Sequence, residues 1–235
     1  MEAWALHPTY ALIANRFGST QLKRARESIR SVLDRQEFAR YHYSEVVRLI
    51  RQYERRHLKG QLLVELPAAG SSRREAFEIF IVKAGAHATA TVQNLHAIPD
   101  VLAYALHFAT GSNLHTPVLP ERKISVNAVH DRLQKDVKFG SLAPLLRATQ
   151  DGATWTHVAA LSNLGKHRAL IRTSLNEDWT GKRADRLEVQ FSACEYNGTR
   201  FRPIALRALV QPTFDHLVDS VLRVGHELTK CLEAA

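Results

Sequence analysis

A chain of 235 residues with 45% hydrophobic and 23% charged side chains can bury a full core and is too apolar to be disordered. Two cysteines, Cys194 and Cys231, exclude a disulfide scaffold and a multi-cysteine zinc site, and no apolar run reaches membrane-spanning length. Thirty-two Lys and Arg against 23 Asp and Glu give +9, and residues 1–60, with 12 basic and six acidic side chains, carry +6 of it. A basic surface draws polyanions by long-range Coulomb attraction, and nucleic acid is the commonest polyanion in a cell. The opening residues Met1 to Pro8 lack the basic start and apolar run of a secretory signal, so a cytoplasmic protein with no membrane partner is expected.

Residues 20–59 have a helical pattern. Val46, Leu49, Ile50 and Tyr53 recur on one face while Arg48, Arg51 and Arg55 share another, and Gly60 ends the run. Leu62 to Leu66, stopped by Pro67, reads as a strand or a packed loop. Ser72 and Glu75 have capping-box spacing ahead of a stripe at Phe77, Phe80, Ile81, Ala84, Ala88, Val92 and Leu95. The small residues of Ala84 to Ala90 would admit another helix closely. Pro99 is expected to kink or divide this helix, which stops near Gly111. A polar loop over 111–125 and short helices near 126–137 and 141–149 follow.

A helix opened by Asp151 and Gly152 reaches the segment Ser162 to Arg168. The period then shortens: 169–173 is a candidate strand, Leu187, Val189 and Phe191 alternate with polar residues, and Asn197-Gly198 is a hairpin turn signal. Pro203 marks the second hairpin strand as an edge or as broken there. A closing helix is expected from about Pro212. The pattern predicts a mainly α fold, a helical bundle with a small antiparallel hairpin or meander inserted before the C-terminal helix. It forms one domain over 1–235: basic N-terminal helices (1–60), helical core (71–167), β element (168–210) and last helix (211–235).

Several chemistries drop out. Ala160 to His167 misses a P-loop by the hydroxyl that binds magnesium, and it follows a helix instead of a strand. None of the 12 histidines has a partner at His-x-x-x-His spacing, and no metal or cofactor site is expected. Neither the nucleophile-elbow nor the dinucleotide-binding glycine pattern occurs. What remains is polar and local. Asn163 and His167, four apart, face one side of a helix, and Lys166 and Arg168 flank the histidine with positive charge suited to phosphate. Asn94 and Asp100 bracket Pro99. Either set also has a purely structural reading, as caps or as partners for backbone groups freed by the proline.

The stretches Asn94-Leu95-His96-Ala97-Ile98-Pro99-Asp100 and Leu161-Ser162-Asn163-Leu164-Gly165-Lys166-His167-Arg168 resemble the two signatures of a widespread group of uncharacterised bacterial proteins. Those proteins pair an Asn-Leu-x-x-x-x-Asp helix with a downstream Asn-x-x-Lys-His-Arg segment, and the likeness covers about residues 75–230. A more distant resemblance is to the HEPN superfamily. Its helical bundles carry an Arg-x₄₋₆-His motif, often with Asn after the Arg, and many are metal-independent ribonucleases of toxin and defence systems that act as homodimers. Asn163 and His167 match the Asn-x-x-x-His part. The arginine does not match: Ser162 stands in its place, and Arg168 lies on the wrong side.

Two readings follow. In the first the protein is a HEPN-like ribonuclease, with His167 as general acid or base, Asn163 orienting it and Lys166 or Arg168 stabilising phosphate charge. In the second it is a non-catalytic helical module that binds nucleic acid or a protein partner, with Arg48, Arg51 and Arg55 as phosphate contacts. The missing arginine favours the second; a solvent-facing His167 would favour the first.

Overall fold

The computed structural model describes residues 3–64 and 71–234. The fold is mainly α, with seven α-helices among the described residues and five short strands ahead of the last helix. In chain order these are α1 (Leu6–Phe17), α2 (Ser19–Tyr53), α3 (Ser71–Ala109), α4 (Val126–Leu133), α5 (Leu142–Ala148), α6 (Trp155–His167), β1 (Thr173–Glu177), β2 (Leu187–Phe191), β3 (Cys194–Tyr196), β4 (Thr199–Phe201), β5 (Ile204–Ala205) and α7 (Leu206–Ala234). The chain divides into two compact units, one of residues 1–36, 97–155 and 213–235, the other of residues 37–96 and 156–212.

The first unit buries Ile13, Ile29, Val32, Leu102, Leu106, Leu133, Leu142, Leu146, Leu217 and Leu228. Its chain start is pinned to α7. The Trp4 indole donates to Thr9 Oγ1 at 3.0 Å, and the Thr9 and Thr229 hydroxyls share a hydrogen bond at 2.7 Å. Gly225 makes room for this, since a Cβ there would fall 2.2 Å from the Trp4 ring. At the end of α3, Gly111 has φ +68, and Gln21 Nε2 donates to the Phe108 carbonyl at 2.7 Å. The next segment, expected as a loop, also holds short 3-10 turns at Ser112–Leu114 and Glu121–Lys123. Ser125 caps α4 by accepting from the Ala128 amide.

The second unit holds the rest of α2, the first part of α3, α6, the strands and the start of α7. After Tyr53 helix α2 widens into a π-turn at Glu54–Leu58, and Lys59 and Gly60, both at positive φ, end it. Tyr53 stacks between His57 and Phe80, while His42 and His87 meet Nδ1 to Nδ1 at 2.8 Å, so α2 and α3 run antiparallel here. Strands β1, β2 and β5 form an antiparallel sheet with Thr173 opposite Phe191, Glu177 opposite Leu187 and Phe191 opposite Ile204. The alternation at Leu187, Val189 and Phe191 is realised as burial of those three residues.

Several boundaries and contacts differ from expectation. Asn197 and Gly198, at φ 50 and 75, do turn a hairpin, but it joins β3 to β4; β2 belongs to the other sheet. The break expected at Pro203 is present between β4 and β5, because proline has no amide to donate to a ladder. The strand expected at 169–173 begins only at Thr173. Helix α7 starts six residues before Pro212, because buried Leu206, Leu209 and Val210 already form a helical stripe. Helix α3 runs unbroken through Pro99 and starts at Ser71, so Ser72 lies in its first turn and is not its cap. At the small-residue stretch, β1 comes closest as well as α2: a Cβ on Gly85 would lie 2.7 Å from Thr173 Oγ1. Residues 63–64 form a short turn, and the remainder of the strand-or-loop segment, Glu65 to Pro67, lies outside the described residues.

Candidate nucleic-acid interface

Arg48, Arg51, Arg55, Asn94, Asn163, Lys166, His167 and Arg168 all belong to the second unit. On α2 the residues Tyr43, Val47 and Arg51 are each four apart, which aligns them on one face; Arg55 follows four residues on in the π-turn, and Arg48 and Ser44 flank them. Together with Glu54 they line one open groove of about 730 Å³. Arg48, Arg51 and Arg55 are all exposed. Arg48 is held by Glu45, with Nη2 donating to Oε2 at 2.7 Å and Nε to both oxygens at 3.0 Å; this hydrogen bond to the guanidinium lowers the Glu45 pKa. Arg55 Nε donates to the Arg51 carbonyl at 3.3 Å, which steadies its guanidinium without neutralising it. Neither Arg51 nor Arg55 has an ion pair among the described residues, so the groove keeps two uncompensated cations. Sequence reasoning found the arginines and missed Tyr43 and Ser44, although the four-residue ladder from Tyr43 to Arg55 was there to read.

The second candidate set sits at the end of α6. His167 is its last residue, and Lys166, His167 and Arg168 are all exposed. The His167 side chain has no hydrogen bond or ion pair among the described residues, so it does not tie the helix end to the following strand. Arg168 places its guanidinium 5.9 Å from the Tyr196 ring centre. Asn163 is half-buried and forms no hydrogen bond with His167. Ser162 is 1% exposed beside the buried Leu161 and Leu164. A guanidinium at 162 would face the core and lose its hydration.

The end of α6 lies close to α3. A Cβ on Gly165 would lie 4.0 Å from the Gln93 amide nitrogen, and burial together with the Lys166 charge pushes His96 down to about 4. His96 is therefore neutral at pH 7. Asn94 is buried and donates to the Ala90 carbonyl at 2.9 Å, one turn back along its own helix. That carbonyl is not the one freed by Pro99, which is Leu95's. Asp100 is exposed and belongs to the first unit.

Among the described residues no three His, Cys, Asp or Glu side chains come together as metal ligands, and no helix is long and apolar enough to cross a membrane. Both cysteines are free thiols, and burial pushes the pKa of each up. Compared with protein-family models, curated proteins and solved structures, the chain matches none of them.

Proposed function

We propose that this protein binds nucleic acid, RNA in the first instance, along the α2 groove. The observation that carries the reading is that Arg48, Arg51 and Arg55 line a single open groove in which Arg51 and Arg55 have no ion-pair partner among the described residues. Charges left to solvent meet a polyanion without first breaking an internal pair, and each phosphate neutralised releases counterions. Tyr43 adds an aromatic wall, and aromatic faces stack on unpaired bases whatever their sequence. Fluorescence anisotropy with a labelled single-stranded RNA at low salt tests this. Wild type should bind, and the triple change Arg48→Glu, Arg51→Glu, Arg55→Glu should weaken binding at least tenfold, about 1.4 kcal/mol. Equal binding by both proteins, or none by wild type, would sink the reading.

A second reading is favoured by one observation, the exposure of His167 between two exposed cations. In it the protein cleaves RNA. His167 takes the proton of a 2′-hydroxyl as that oxygen attacks the adjacent phosphorus, and the 5′-oxygen leaves with a proton from water. Lys166 and Arg168 offset the phosphate charge. Incubating purified protein with RNA in EDTA, beside His167→Ala, tests it: cleavage by wild type alone supports the reading, and intact RNA in both refutes it.

A further inference from the structure

A different face of the same helix pair carries an inference independent of nucleic acid. Between α2 and α3 of the second unit runs an open groove of about 260 Å³, floored by Leu49, Tyr53 and Phe80 with Ile79 at its edge. Helix α3 turns its buried stripe, Phe80, Ala84 and Ala88, towards the interior. It nevertheless carries a second apolar line outward. Ile79 is 49% exposed and Val82 is 70% exposed, and exposed Ala86 continues the line one turn on. From Ala76, which also lines the groove, to Ala86 is about 15 Å of helix, or roughly three turns. A helix with two apolar faces is expected to bury both.

The lining also has a sign. Arg56 and His57, in the π-turn that ends α2, face Lys83 of α3, and among the described residues no carboxylate lines the groove. A floor of aliphatic and aromatic side chains between two antiparallel helices is the shape into which a third amphipathic helix lays its apolar face. Cations at the rim select for acidic residues flanking that face, because matching charge steers encounter and repels the opposite sign. We propose that this groove docks an acidic amphipathic helix of a protein partner. Its lining on α3 runs from Ala76 to Lys83, about 10 Å or two turns, beside exposed Val82, and an open groove of that form suits a helix better than a compact small molecule.

Two labelled synthetic peptides of about three to four turns test the proposal. Both carry leucine at one helical face; one has glutamate at every other position and its twin has lysine. The acidic peptide should bind the full-length protein, and the lysine twin at least tenfold more weakly. Ile79→Glu with Val82→Glu should cut acidic-peptide affinity at least tenfold; both side chains are exposed, so the melting temperature should hold. Arg56→Glu with Lys83→Glu should reverse the preference between the twins, a result that no loss of folding produces. Absent binding of the acidic peptide, equal binding of the twins, or a preference unmoved by the charge reversal would overturn the proposal. So would full displacement of the peptide by sodium octanoate, which marks a small-molecule site. A loss of RNA affinity on Ile79→Glu with Val82→Glu, with no peptide bound, would make the groove a nucleic-acid surface and overturn it equally.

Discussion

Arg186 and Arg51 belong to the same unit and carry the same guanidinium, yet their surroundings are opposite. Arg186 closes a network at the β1–β2 edge. Its Nε donates to Glu177 Oε1 at 2.7 Å and its Nη2 to the same oxygen at 2.5 Å, while Nη2 also reaches the Gln61 carbonyl and Nη1 lies 3.8 Å from Glu54. The Glu177 side chain is 3% exposed, and its other oxygen accepts from the Leu63 amide and the Trp179 indole. Burial pulls the Glu177 pKa up, but those donors outweigh it and hold it below the ordinary value. Arg51, by contrast, faces solvent. The difference teaches that a basic sequence contains two populations of arginine. One population holds the fold through carboxylates already present, and only the other is available to a ligand.

The sharpest way to break this comparison is to remove the buried carboxylate. Glu177→Ala should destabilise by roughly 2 kcal/mol, since it takes the nearest carboxylate from Arg186 and leaves the Leu63 amide and the Trp179 indole without their acceptor. A urea melt shows it, and a change below about 0.5 kcal/mol would mean the network is no different from surface charge. Glu177 also sets a pH dependence. Its folded pKa is depressed, so its contribution is complete above the ordinary glutamate range and is lost as pH falls through the folded value.

The second prediction concerns the solvent-facing set. Reversing Arg48, Arg51 and Arg55 to Glu should leave stability within about 1 kcal/mol of wild type while lowering RNA affinity at least tenfold. Loss of stability on the scale expected for Glu177→Ala would place these arginines in the structural population.

Buried histidines supply a third test. Burial first, then a nearby cation, pushes His96 and His107 down to about 4, with Lys166 and Arg132 the respective cations. Both rings are neutral in the folded protein at pH 5, whereas in the unfolded chain they protonate near the ordinary histidine value of 6.5. Stability should therefore fall as pH drops from about 6.5 towards 4. Melts at pH 7 and pH 5 at fixed ionic strength check this, and His107→Phe should flatten the difference; an identical slope in the variant would contradict it.

The smallest expected effect is at His167. His167→Gln should change stability by less than about 0.5 kcal/mol, because the side chain is exposed and has no hydrogen bond or ion pair among the described residues. A drop of 1–3 kcal/mol, the range for buried groups left unpaired, would restore its role as an anchor.

Much of the fold was legible because periodicity reports burial directly. The stripe from Phe80 to Leu95, the alternation of β2 and the positive φ demanded by Asn197-Gly198 each follow from a local rule and each is realised. Strand pairing was not legible, because β2 faces β1 and β5 across intervening chain, and nothing local tells Phe191 that its partners are Thr173 and Ile204. Proline misled in two ways. Pro99 and Pro212 both lie inside continuous helices, where packing of neighbouring apolar residues outweighs one missing amide. Of the site, the arginine face was readable from spacing alone. That Arg48 already holds Glu45, whereas Arg51 and Arg55 do not hold a carboxylate, depends on rotamers and distances that no spacing encodes.

The central claim, that the uncompensated arginines of α2 meet phosphate, is tested most directly by the salt dependence of RNA affinity. The logarithm of the association constant for single-stranded RNA, measured from about 50 to 200 mM salt, should fall linearly with the logarithm of salt concentration. Each phosphate contact on a single strand contributes about −0.7 to that slope, so the triple reversal, which removes the two uncompensated cations, should flatten it by about 1.4. A wild-type slope that the triple reversal leaves unchanged would contradict the account.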